Sequence, residues 1–101
     1  MQREQRNKSM IKLLQKLYPL WKSGKVTVLM YSALNTVSFA DFRDIEQCIE
    51  YFNRIIVDMV YIKTSYNECS IYMDSYETYR FNKERGTLTI ECNLNTYELR
   101  I

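Results

Sequence analysis

Before Asn67 the apolar residues recur mostly every three or four positions, and after it they alternate. The first spacing belongs to one face of a helix and the second to one face of a strand. A chain that carries both, in that order, is predicted to be α+β, with its helices laid on a sheet formed largely by its second half. Two Gly and one Pro in 101 residues leave little for linkers, so the whole of residues 1–101 is read as one domain.

From Ser9 to Tyr18 the apolar side is Met10, Ile11, Leu13, Leu14, Leu17 and Tyr18, with Lys8, Lys12, Gln15 and Lys16 opposite, a basic amphipathic N-terminal helix. Pro19 lacks an N–H and disfavours helical geometry at Tyr18, so the helix is expected to stop there or to restart with Pro19 in a first turn. Lys25 to Tyr31, rich in β-branched residues and preceded by Gly24, is expected to be a strand. Ser38 and Asp41 resemble a capping box, and Asp44 adds negative charge beside it, which places the start of a long helix at Phe39. Its stripe runs through Phe42, Ile45, Ile49, Phe52, Ile55 and Ile56 to Met59, although Val60 to Thr64 favour strand. The alternating segments then follow around Ser70–Met73, Glu77–Phe81, Thr87–Cys92 and Tyr97–Ile101. The expected order is helix, strand, long helix, then a meander of three or four strands: two helices packed on a small, mainly antiparallel sheet.

The net charge of +2 conceals an asymmetry. Residues 1–25 carry seven Lys and Arg against Glu4 alone, a balance of +6, which leaves −4 for the rest. Absence of His removes the commonest general base and the commonest zinc ligand, and no Gly-rich phosphate loop, nucleophile elbow or HExxH is present. Asp41, Asp44, Glu46 and Glu50 have structural roles at the start or on the polar side of a helix. No catalytic residue, metal ligand or cofactor is therefore expected, and the chain is read as non-enzymatic. Cys48, Cys69 and Cys92 form no CxxC pair and are expected to be buried, reduced thiols; a Cys69–Cys92 disulfide fits less well with an odd count. No stretch has the length and apolarity of a membrane span or the pattern of a secretory signal, which points to the cytoplasm.

Three features carry the functional expectation. The Lys8, Lys12 and Lys16 stripe, extended by Arg3 and Arg6, suits an acidic protein surface or phosphates, and Trp21 and Lys22 are further candidates for partner contact. Tyr79, Arg80, Phe81, Lys83 and Arg85 form a hairpin mixing aromatic rings with cations, as in proteins that stack single-stranded bases. The nine tyrosines, Tyr76 among them, exceed what so small a core can hold, and exposed Tyr is favoured at protein interfaces. Together these describe a small protein-binding module, of the kind with which a phage or mobile element inhibits or regulates a host complex. The alternative is a small DNA- or RNA-binding protein that uses the basic helix and the Tyr79–Arg85 hairpin. A protein partner, a nucleic acid and a homodimer are all compatible with the composition.

Overall fold

The computed structural model describes residues 2–101. The elements are α1 (Arg3–Lys22), β1 (Val26–Ser32), β2 (Thr36–Ser38), a 3-10 turn (Phe39–Asp41), α2 (Ile45–Arg54), β3 (Val57–Thr64), β4 (Glu68–Tyr72), β5 (Tyr76–Asn82), β6 (Thr87–Cys92) and β7 (Thr96–Arg100). The fold is α+β, with every strand pair antiparallel, but the strands form two sheets where one was expected. β2-β1-β3-β4 make the first and β5-β6-β7 the second.

The first helix passes through Pro19 instead of ending before it. Proline costs the helix one N–H donor, which would otherwise reach the Gln15 carbonyl. The turn that follows is held by an aromatic cluster, with ring centroids 5.3 Å apart for Tyr18 and Phe39 and 5.6 Å for Trp21 and Phe39. The helix stops at Gly24, whose φ of 78° is the left-handed geometry that glycine adopts without strain. There the Lys25 N–H donates to the Leu20 carbonyl and the Gly24 N–H to that of Trp21, both at 2.9 Å, a Schellman termination.

The long helix expected from Phe39 to Met59 is a ten-residue helix flanked by other structure. Ser38 does donate its N–H to Asp41 Oδ2 at 2.7 Å, but this pair closes only the 3-10 turn, after which Phe42 is extended. The cap of α2 is Asp44, which accepts the Gln47 N–H at 2.9 Å, while Gln47 Oε1 accepts the Arg43 N–H at 2.6 Å. Those bonds satisfy helix-start donors six residues later than the Ser38 signal implies. At the other end, Ile55, Ile56 and Val57 are β-branched; Ile55 is extended, and the next residues enter β3.

One local solution recurs at three hairpins. In Ser32–Asn35, Thr64–Asn67 and Cys92–Asn95 the first N–H donates to the carbonyl of the Asn three residues on, at 3.0, 2.8 and 2.9 Å. The third residue of each (Leu34, Tyr66, Leu94) is a large apolar side chain left exposed.

Both sheets turn one face to a common core. Val28, Met30, Val60, Ile62 and Ile71 from the first sheet, and Leu88, Ile90 and Leu99 from the second, are buried with Met10, Leu13, Leu14 and Leu17 of α1. The first helix thus serves both sheets, and the Tyr76 hydroxyl at the start of β5 meets Ser9 Oγ at 2.7 Å. A second link runs between the sheets themselves. Asn67 Nδ2 donates to the Glu98 carbonyl at 2.9 Å and Asn67 Oδ1 accepts the Arg100 N–H at 3.2 Å, so one side-chain amide replaces a peptide group against β7.

Candidate binding surfaces

Strand register assigns the side chains that do not enter the core to outer faces. On the four-stranded sheet, Tyr31 pairs with Met59 and Met59 with Tyr72; in the next row Leu29 pairs with Tyr61 and Tyr61 with Ser70. These residues alternate with the buried Val28, Met30, Val60, Ile62 and Ile71, so they point away from the helices. The buried residues of α1 and α2 all join the inner cluster, and neither helix covers this face. Its centre is uncharged. Leu29, Tyr31, Met59 and Tyr61 are half-buried among one another, and Tyr72 keeps 58% of its surface exposed.

Charge enters at one end row, where Lys63 pairs with Thr27 and Glu68, and beside Tyr72 at the edge. Tyr61 donates its hydroxyl to Glu68 Oε2, and that bond to a carboxylate, more than any burial, pushes the phenol up to about 12. Tyr61 is therefore a neutral donor across the physiological range. Tyr72 also lines a small cleft of about 270 Å³ with Arg3, Arg6, Ile56, Asp58 and Asp74.

The three-stranded sheet turns out a different face. Arg80 pairs with Thr89 and Thr89 with Glu98; Asn82 pairs with Thr87 and Thr87 with Arg100; Thr78 pairs with Glu91 and Glu91 with Thr96. Arg80 Nη2 is 3.0 Å from Glu91 Oε1. This is a satisfied polar surface of the kind that antiparallel sheets present to water.

The hairpin and the basic helix, far apart in sequence, meet in space. One open hollow of about 550 Å³ is lined by Lys16, Pro19 and Leu20 of α1, by Lys25, by Phe81, Lys83 and Gly86 of the hairpin, and by Ile101. A second shares Lys16, Phe81 and Lys83 and continues past Arg80, Asn82 and Arg85. Gly86, with φ of 63°, lets the hairpin close tightly: a Cβ there would lie 3.2 Å from the Ile101 carbonyl oxygen.

Of the residues expected at a partner surface, Lys16, Arg80, Phe81, Lys83 and Arg85 come together here. Lys8, Lys12 and Lys22 are exposed but line neither hollow, and Lys8 lies 4.0 Å from Glu4. Trp21 and Tyr79 are half-buried and pack against the core. Tyr76 is a correction: with 1% of its surface exposed it is a core residue, pushed up to about 12 chiefly by burial, and its hydroxyl is occupied by Ser9. The residues that the sequence reading passed over are Lys25, in the hollow, and Leu29, Tyr31 and Met59, on the sheet.

All three cysteines are free thiols. Burial pushes Cys48 and Cys69 up to about 12 and raises Cys92, which leaves each of them protonated and unreactive near neutrality. Asp44 is held below the usual carboxylate range by the Gln47 N–H and then by Arg43, in keeping with its capping role. Among the described residues no helix is long and apolar enough to cross a membrane. Comparisons with protein-family models, with curated proteins and with solved structures find no significant match. Function is therefore argued from these surfaces alone.

Proposed function

We propose that the chain is a small non-enzymatic module that binds a protein partner through the outer face of the β2-β1-β3-β4 sheet. One observation carries this reading: a patch of Leu29, Tyr31, Met59 and Tyr61, extended to Tyr72 at the edge, that neither helix covers among the described residues. β1 and β3 have apolar residues pointing both ways, the pattern of strands covered on both faces, yet only one face is covered. Tyrosine and methionine bring large contact area, and the hydroxyls keep the face wettable while it is free. The absence of cations from its centre argues against phosphates as the target. A molecule of this kind works by occupancy, as an inhibitor or regulator of a larger complex. Three protonated thiols and no disulfide suit the cytoplasm.

The test is site-specific photocrosslinking in cells from positions 61 and 89, one on each outer face. The expected result is one discrete protein adduct from position 61, lost with Met59→Lys, and none from position 89. A product at twice the 12.2 kDa chain mass would assign the face to a second copy of the chain instead. Equal smears from both positions would overturn the proposal.

A further inference from the structure

The geometry points to a second, separate site: the hollow between the last turns of α1 and the β5–β6 hairpin binds single-stranded nucleic acid. Three lysines, Lys16, Lys25 and Lys83, surround a floor that includes Phe81, Leu20 and Pro19, and no Asp or Glu side chain lines it. None of the three forms an ion pair with the other described residues. The Lys16, Lys25 and Lys83 ammonium groups repel one another, and an anion placed among them relieves that repulsion.

The shape of the hollow narrows the choice of anion. A free phosphate would meet the lysines and leave the apolar floor unused. A nucleotide offers a phosphate for the rim and a flat base for the ring of Phe81, the pairing of chemistries by which proteins hold unpaired strands. The neighbouring concavity shares Lys16, Phe81 and Lys83 and leads on to Arg85 and to Arg80, the latter paired with Glu91, so cations continue beyond the reach of one nucleotide. The Phe81 ring can stack only on a base that is not already stacked within a helix, which favours a single strand over a duplex. Glu84 and Glu98 join Lys16 and Lys83 in the lining of that neighbouring concavity, whereas the first hollow, with Lys25, is lined by no Asp or Glu side chain, and the phosphate contacts are placed there.

Fluorescence anisotropy of the whole chain with labelled oligodeoxythymidine and oligouridine, across a salt series, tests the site. Binding at low salt is expected, with a duplex of the same length about tenfold weaker. Lys16→Glu combined with Lys83→Glu should weaken binding at least ~30-fold and reduce the salt slope by about 1.4, at about 0.7 per phosphate contact on a single strand. Phe81→Leu should weaken it about fivefold or more, since aromatic stacking contributes ~1–3 kcal/mol per base. Lys8→Glu, outside the hollow, should leave affinity within about twofold, and thermal melts establish that each variant is folded. No binding at low salt, equal binding of poly-glutamate, or affinity unmoved by the Lys16 and Lys83 reversal would each overturn the site. Photocrosslinking from position 61 is unaffected by any of these outcomes.

Discussion

The four-stranded and three-stranded sheets bury the same kind of side chain against α1 and turn opposite kinds outward. Ile62 and Ile90 are equivalents, both fully buried at the centre of their sheets. Met59 and Thr89 are not: each is the middle residue of an outward row, between Tyr31 and Tyr72 in one sheet and between Arg80 and Glu98 in the other. Folding requires only the inner faces. The outer faces are free to differ, and the apolar one gains nothing for the isolated chain that Thr and Glu would not supply. That asymmetry separates the residues that build the core from those the proposed function assigns to contact.

The largest effects should come from the inner faces and should be alike. Ile62→Ala and Ile90→Ala are each expected to cost about 3 kcal/mol in urea unfolding. If one costs far less, its sheet is an appendage and the common core is not shared. Next is the seam. Asn67→Ala removes both bonds to β7 and is expected to cost ~1–1.5 kcal/mol; no loss would mean that α1 alone holds the sheets together.

Tyr76 tests the attachment of the three-stranded sheet to the helix. Tyr76→Phe should cost about 1 kcal/mol at pH 7 through the lost Ser9 bond. Tyr76 ionises near 10.0 when unfolded and near about 12 when folded, so between those values the unfolded chain gives up a proton that the folded chain keeps. Stability should therefore fall as pH rises through that window, and the Phe variant should fall less steeply. Cys48 and Cys69, raised from 9.0 to about 12, add to the alkaline loss in both proteins.

The smallest effects belong to the outer faces. Met59→Thr and Thr89→Met should each shift stability by less than about 1 kcal/mol. A Met59→Thr loss as large as that of Ile62→Ala would show the apolar face to be structural, and the proposal for it would fail.

Much of this architecture was legible in the sequence. The period of Met10, Leu13, Leu14 and Leu17 identified α1, and alternation identified the strands from Ser70 onward, because both patterns are imposed by burial on one side. The Phe39-to-Met59 stripe misled because 3-10 turn, helix and strand were joined by residues that happen to keep helical spacing. Only the side-chain bonds of Asp44 and Gln47, and the stiffness of Ile55–Val57, mark where each begins. Lys16 and Lys83 are legible separately on helix and hairpin, and Lys25, between α1 and β1, is legible on neither. Their meeting is not legible, since no local pattern encodes the approach of Lys16 to Lys83. The tyrosine face was also hidden. In a run such as Val26–Tyr31 period 2 marks two faces without saying which is covered, though tyrosines set opposite Val and Ile were a usable sign.

The early position of α1 has a consequence for synthesis. Ser9 and its partner Tyr76 are 67 residues apart, so at ~5–20 residues per second the helix waits roughly 3 to 13 seconds for the strand that completes its burial. During that interval a nascent chain displays a greasy, positively charged helix that only the first sheet can begin to cover. Ribosome-bound chaperones, or a premature meeting of two nascent chains, would find a target there that the finished molecule has buried.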